Sequence, residues 1–435
     1  MGRKKHPRVL IVGTVPYNKQ STSRAFDAYF HNWERENMAQ IFSNTKTPPK
    51  GHCGTLYQIT DKRLLEHRFN HNVEVGRIFN YDDLPDSWSD TDLEVGNGLF
   101  DTLYKWGSKN REIFHIVRKI IWKKSLWNGQ QLNDWLDRFN PQCVFLSFSD
   151  DCYILEIALY VAKKYNIPIC SSTGDDYYFN RHFSLNPFYH IYWNMHMRLT
   201  REIFAWKGSA IYISDKIRDK YNREFGIDGK TVYLVSDIKR REFRPINPQH
   251  LIITYFGNIR CGRNTSLNDI GIALGRINSN YKLLVYSNEN MSSVYGVFNS
   301  NPNVEFCGAI PYHEVMKKMV ASDIVTIVEG FKKNEIAATR YSLSTKVADS
   351  LASGANILVY GSPECGAMEY MDATGCATVC HNIEELEQGI SRLIADVDLQ
   401  HQNYELAQKS YLKNHTLEQS TKTVETLIEN LVKKN

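Results

Sequence analysis

The sequence predicts an α/β protein built from two doubly wound, Rossmann-like parallel-sheet domains facing a cleft. Three observations carry this. At 435 residues the chain is too long for one ordinary core and suits two domains of about 200 residues each. Apolar runs of strand length alternate with helical stretches in both halves, the pattern of parallel sheets wound by right-handed crossovers. Ser344 to Gly354, S-T-K-V-A-D-S-L-A-S-G, then sets a polar turn before an amphipathic helix, ends it on glycine and leads into the apolar run A-N-I-L-V-Y-G. Such a segment presents a helix N-terminus to an anionic ligand.

Composition narrows the classes. Hydrophobic content of 42% and charged content of 23% are those of a soluble globular protein. A net charge of +4 is too small for a nucleic-acid field, so no nucleic-acid partner is expected. The nine cysteines are scattered without a CxxC pair, which reads as free thiols in a reducing compartment rather than a zinc site. No stretch approaches the about 20 apolar residues that a bilayer crossing needs. The expected location is cytoplasmic, or peripheral on the inner face of the cell membrane.

In chain order, Arg8 to Gly13 is an apolar run stopped by glycine, a buried parallel strand. A polar loop with Ser21, Thr22 and Ser23 follows, then a helix from near Arg24. The loop's small hydroxyl residues suit close approach to a ligand, and equally a plain loop. Residues 43–100, rich in Asp, Asn, Pro and Gly, read as irregular. Strands are expected at 143–148, 167–171 and 209–213, with a helix over 152–164 between the first two. The segment 232–237 closes the first half, and 238–249, charged and with two prolines, has the composition of a linker. Strands resume at 251–256, 281–287, 304–306, 323–328 and 356–360, and the chain from about 383 reads helical, with Thr416 as an N-cap. The domains are therefore 1–237, a hinge at 238–249, a second domain over 250–400, and C-terminal helices over 401–435 that can cross back to the first domain.

The chemistry concentrates in the second half. The strand at 251–256 runs into Gly257, Asn258, Ile259, Arg260, Cys261, Gly262 and Arg263. Two arginines in a glycine turn before a helix suit phosphate oxygens, because the guanidinium fork matches them bidentately; a solvated loop is the plain alternative. Lys346 starts a helix, where the dipole disfavours a cation unless an anion balances it. Ser344 and Thr345 bring hydroxyls beside it, and Asp349 lies on the same helix face. A carboxylate there can accept both hydroxyls of a ribose; an exposed Lys–Asp pair is the alternative.

The motifs G-N-I-R-C-G-R-N-T-S-L, V-E-F-C-G-A-I-P-Y-H-E-V, A-S-D-I-V-T-I-V-E-G-F and S-T-K-V-A-D-S-L-A-S-G-A-N-I-L-V-Y-G occur in that order. In order and spacing, over about residues 250–400, the chain resembles the C-terminal half of GT-B glycosyltransferases of the large retaining family that includes capsule and O-antigen sugar transferases. The first half resembles it only generally. The resemblance implies that Arg263 and Lys346, with Arg260, hold the diphosphate of a nucleotide-sugar donor, and that Asp349 holds the ribose. It further implies that Gly308, Ala309 and Ile310 hold the base by backbone groups, and that Glu329, in E-G-F, is the donor-sugar acid. The family's glutamate pair is altered: the second position is Asp349, and the position eight before it is Tyr341.

On the acceptor side, Asp175 and Asp176 follow the strand ending near Ser171, where side chains face the cleft. Two adjacent acids can position or deprotonate an acceptor hydroxyl, or form a hydrogen-bonded turn. Asp150 and Asp151 make a second such pair, or cap the helix that follows. No metal and no cofactor is expected, the donor being a substrate. Residues 103–127 form a basic amphipathic stretch: Ile113, Phe114, Ile116, Val117, Ile120 and Ile121 on one face, Arg111, Arg118, Lys119 and Lys123 around the other, and Trp106, Trp122 and Trp127 flanking. It suits an anionic membrane surface, or a domain helix packed on the sheet. The aromatic stretch 185–204 adds to that surface or packs in the core.

The sequence reading is a transferase moving a sugar from a nucleotide diphosphate sugar to a hydroxyl of a lipid-linked saccharide in surface polysaccharide synthesis, with retention. A nucleotide-sugar epimerase of similar fold and a non-catalytic nucleotide-sugar-binding partner stand as alternatives.

Overall fold

The computed structural model describes residues 6–17, 24–89 and 111–434. It divides into two units, one running to Val232 and including the chain from Thr421 onward, the other spanning Tyr233–Ser420. The hydroxyl loop at 18–23 and the residues 90–110, with Trp106, lie outside the described residues.

The first unit holds strands β1 (Val9–Val12), β2 (Met38–Phe42), β3 (Thr55–Ile59), β4 (Gly76–Asn80), β5 (Cys143–Ser147), β6 (Ile169–Thr173), β7 (Gly208–Tyr212) and β8 (Lys230–Thr231). They form one sheet in the order β4-β3-β2-β1-β5-β6-β7-β8, parallel except for the antiparallel β3–β4 pair. β1 is wholly apolar and buried because it lies mid-sheet with both faces covered.

The second unit holds β9 (Ile253–Phe256), β10 (Leu283–Tyr286), β11 (Val304–Gly308), β12 (Ile324–Val328), β13 (Asn356–Tyr360) and β14 (Thr378–Cys380). Their order is β11-β10-β9-β12-β13-β14, with every pair parallel. Side chains alternate between two cores. Ile324, Val328 and Leu358 pack on one face with Leu267 and Leu274 of the helix Arg263–Ile277. Val325, Ile327 and Val359 pack on the other with Val347 and Leu351 of the helix Thr345–Ser353. The strand order reverses between β9 and β12, and ligands of such sheets bind beyond the carboxyl ends at that reversal.

Several expectations are corrected. Residues 43–80 are not irregular. They include β3, β4 and the helix Asp61–Phe69, capped by Thr60 Oγ1 accepting from the Arg63 amide at 3.3 Å. β4 is an edge strand with only two buried residues, so it lacks the apolar signature of the central strands. Residues 232–237, expected to close the first half, lie in irregular chain where the second unit begins, at Tyr233. Their carbonyls are satisfied by side chains instead: Tyr411 Oη donates to Ser236 O at 2.8 Å, and the His415 ring bonds Leu234 O at 2.7 Å. Residues 238–249 are strapped to the second unit: Arg240 donates to Leu351 O at 2.7 Å, and Arg241 to Gly354 O at 3.1 Å.

The basic amphipathic stretch is also changed. The helix there is Arg111–Ile121. Trp122 and Trp127 are each only 1% exposed. Arg118 pairs with Asp61 at 3.1 Å and Asp151 at 3.0 Å, and Lys119 pairs with Glu156. These four side chains are engaged within the first unit, whereas Ile120 is 58% exposed and Lys123 is exposed. Among the described residues no helix is long and apolar enough to cross a membrane.

Candidate functional site

The site grows from the carboxyl ends of the neighbouring strands β9 and β12. After β9 the chain turns through Gly257, whose φ of +123° favours glycine, and whose Cβ, if present, would lie 2.5 Å from Lys346 Cε. Asn258 is exposed and makes a local turn, its Oδ1 accepting from the Arg260 amide at 2.6 Å. Ile259 plugs the loop into the core, fully buried. Arg263 then opens its helix.

After β12, Glu329 is fixed by its amide bond to Tyr360 O at 3.0 Å. Its carboxylate meets Arg263 in a two-bond fork, Nε to Oε2 and Nη2 to Oε1, both at 3.0 Å. Ser266 Oγ, one helical turn past Arg263, donates to Glu329 O at 2.8 Å. Burial alone would lower the Arg263 pKa, but the adjacent Glu329 carboxylate raises it on balance.

Lys346 arrives from the opposite face of the sheet. Ser344 is the N-cap, its Oγ accepting from the Lys346 amide at 3.4 Å, and Thr345 is exposed. Lys346 is half-buried and crosses Gly257 to set its ammonium 4.9 Å from the Tyr255 ring centre. Burial first, and the charge of Arg263 second, push its pKa down to about 7, against the pull of Glu329. Two cations and one carboxylate thus meet where two helices begin, a setting that lacks one anion.

Asp349 sits one turn along the helix, 5% exposed. Its Oδ1 accepts from Ser236 Oγ at 2.7 Å and from Tyr312 Oη at 3.3 Å. Tyr312 follows the turn that leaves β11. Gly308, at φ +72°, ends that strand, Ala309 is exposed, and Ile310 packs against the core. Tyr312 therefore ties this loop to the Asp349 helix. Sequence reasoning missed Tyr255, Ser236 and Tyr312. Tyr312 had a signal, standing directly after G-A-I-P; Ser236 had none.

Arg260 is placed differently from Arg263. It is exposed and its guanidinium holds Glu289, Nη2 to Oε1 at 3.1 Å. Its carboxylate partner is thus Glu289, whereas that of Arg263 is Glu329.

Asp175 and Asp176, like Asp150 and Asp151, belong to the first unit, and the candidates from Gly257 to Asp349 to the second. Asp175 is exposed. Asp176 Oδ1 accepts from the amides of Tyr178 and Phe179 at 3.1 and 2.8 Å and from Tyr221 Oη at 2.9 Å, which makes it the anchor of a turn. Its Oδ2 is buried without a hydrogen-bond partner. The residue borders a cavity of 190 Å³ whose walls include Asp150, Tyr177, Tyr192 and Trp193. Beside it, His115 stacks on Tyr192 at 4.6 Å and lies 3.7 Å from both Asp150 and Asp151. Asp151 stands at the N-cap position of its helix, but its side chain bonds Arg118 at 3.0 Å rather than the helix amides. Among the described residues no group of three or more His, Cys, Asp or Glu gathers as a metal site.

No protein-family model matches the chain, and no curated protein matches it in sequence. Solved structures do. HepE of Anabaena, in complex with UDP, aligns over 97% of this chain and 100% of its own at 10% identity, with a TM-score of 0.60. Sucrose-phosphate synthase of Thermosynechococcus elongatus aligns over 99% and 100% at 10% identity, with a TM-score of 0.58. A glycosyltransferase of Rickettsia africae aligns over the whole of both chains at 11% identity, with a TM-score of 0.54. Two doubly wound α/β units in one chain, shared along their full length with these proteins, give this chain the GT-B glycosyltransferase fold.

Proposed function

We propose that the chain is a glycosyltransferase that takes a sugar from a nucleotide diphosphate sugar. The observation that carries this is the meeting of Arg263 and Lys346 at two helix starts, with Asp349 one turn farther on. The cations match a diphosphate, and in this reading Asp349 takes the ribose hydroxyls. HepE, with UDP and with UDP-glucose in its solved complexes, makes uridine diphosphate sugars the first donors to try.

In this reading the bond from the anomeric carbon to the diphosphate breaks while a bond to the acceptor oxygen forms. Arg263 and Lys346 stabilise the negative charge that grows on the departing diphosphate, the leading electrostatic contribution. They and the two helix N-termini do so without a metal. Glu329, held rigid by Arg263, orients the donor sugar. The acceptor proton passes to the departing phosphate oxygen on the same face, so that configuration is retained. The acceptor is a hydroxyl of a lipid-linked saccharide in surface polysaccharide synthesis. The first unit binds it through the aromatic and acidic cavity at Asp150 and Asp176, since sugars stack on aromatic rings and donate to carboxylates.

Thermal-shift titration against uridine, guanosine and thymidine diphosphate sugars tests the reading. Stabilisation by one of them, with release of its nucleoside diphosphate on adding acceptor, is expected. No stabilisation by any overturns it.

A further inference from the structure

The helix Pro187–Ala205 has two unlike faces. Tyr189, Tyr192 and Trp193 are buried and seat it in the first unit. The opposite face and the loop before it carry large apolar side chains into water: Phe183 and Leu185 are each 87% exposed, Ile191 55% and Phe188 42%. The loop is not loose. Ser184 Oγ accepts from the Asn186 amide at 3.1 Å, the His190 ring bonds Ser184 O at 2.8 Å, and Tyr189 Oη accepts from the His182 amide at 3.1 Å. Ordered backbone therefore holds the apolar tips outward, and clustered exposed apolar groups mark an interaction surface.

Farther along the same exposed stripe, at helical spacing from Ile191, stand Arg198 and Arg201. With Arg181 they line a cavity of 400 Å³ walled also by Trp193, Asn194 and Met197. Arg201 is oriented by its Nε bond to Tyr178 Oη at 3.0 Å. Among the described residues none of the three arginines is paired with a carboxylate, and the nearby Glu202 is taken by Lys163. Apolar tips next to unneutralised arginines match a bilayer with anionic headgroups, where the tips enter the acyl boundary and the guanidiniums meet phosphates.

We propose that the loop at 181–186 and the exposed face of the Pro187–Ala205 helix dock the protein on an anionic lipid bilayer. The purpose rests on the reading above, since a lipid-linked acceptor is met at such a surface. The docking itself is measured separately from donor binding.

The test is co-sedimentation of the full chain with phosphatidylglycerol vesicles and with phosphatidylcholine vesicles. Binding to the first and little to the second is expected, weakening as salt rises. The Phe183→Asp/Leu185→Asp variant should lose it. Arg181→Gln and Arg198→Gln should each weaken it about fivefold. All these residues are exposed, so the variants fold, and their stabilisation by UDP-glucose should equal that of the parent. Absence of binding to phosphatidylglycerol, or undiminished binding by the aspartate variant, overturns the proposal. So does a dimer, seen by light scattering, that the aspartate variant dissociates, because the surface is then a contact between copies. A parent that binds vesicles but no nucleotide sugar leaves the docking intact and sinks the donor reading instead.

Discussion

Arg263 and Glu329, 66 residues apart in sequence, bind each other through two parallel hydrogen bonds of 3.0 Å, with the Glu329 carboxylate only 2% exposed. The pair links the carboxyl ends of the two strands between which the sheet order reverses. It fixes the guanidinium plane before any ligand arrives, and that preorganisation is what a charge-stabilising group needs.

Removing one partner of a buried pair strands the other's charge. Arg263→Ala is expected to destabilise the fold by about 3–5 kcal/mol, read from the urea midpoint. The Arg263→Met/Glu329→Leu double variant should recover most of that stability, since neither charge is then stranded. It should still fail to bind UDP-glucose. A double variant that binds normally would show that the fork serves the fold alone.

Lys346 supplies a pH dependence. Its pKa of about 7 means that the ammonium is half lost at neutrality, while the diphosphate of UDP-glucose keeps its charge. If Lys346 holds the diphosphate as proposed, donor binding requires the protonated form, so above neutrality each bound donor must also draw in a proton. The dissociation constant should rise up to about tenfold per pH unit above pH 7, by calorimetry. Lys346→Met should bind weakly with no such slope. Stability moves the other way. The unfolded lysine holds its proton to about 10.5 and the folded one only to about 7. Its burden on the fold is therefore full below pH 7 and relieved between these values.

Asp349→Asn separates the proposed ribose contact from the fold. The amide oxygen still accepts from Ser236, so the melting temperature should change little. Loss of the charge should weaken UDP-glucose binding about tenfold, the worth of a charged hydrogen bond. A uridine diphosphate lacking both ribose hydroxyls should bind parent and variant alike. Equal weakening for both nucleotides would place Asp349 away from the ribose.

The elements that carry Arg263, Lys346 and Asp349 were legible in the sequence because their pieces are local. A strand, a glycine turn and a helix start are contiguous in G-N-I-R-C-G-R, and again in S-T-K-V-A-D. Which arginine points inward was not legible: Arg260 and Arg263 differ only through Glu289 and Glu329, each far away in the chain. The cavity of the first unit is assembled from Glu112, Asp150, Asp176 and Tyr192, which no short motif unites. The edge strand β4 was missed because half-exposed strands lose the apolar run that marks buried ones. The tryptophans at 122 and 127 show the reverse error, since an amphipathic pattern reports that a face is covered but not by what.

Asp176 is placed to hold its turn, so Asp176→Asn should cost about 1–3 kcal/mol of stability by weakening its bonds to Tyr221 and two amides. Asp150→Asn should leave the melting temperature nearly unchanged and raise the acceptor KM. If Asp176→Asn instead keeps full stability and loses kcat, the acid acts on the acceptor directly.

Gly257 and Gly308 provide a matched pair. Both have positive φ, +123° and +72°, but a Cβ on Gly308 meets nothing within 4 Å, whereas on Gly257 it would stand 2.5 Å from Lys346 Cε. Gly308→Ala therefore carries only backbone strain, about 1 kcal/mol, and donor binding should persist. Gly257→Ala carries strain and also evicts the lysine from its seat over Tyr255. Moved toward water, the ammonium regains an ordinary pKa, and the steep pH dependence of donor binding should vanish together with most of the affinity. Measuring the pH slope in both variants separates the two effects. A Gly257→Ala protein that retained the slope would mean that Lys346 reaches its position without the space this glycine leaves.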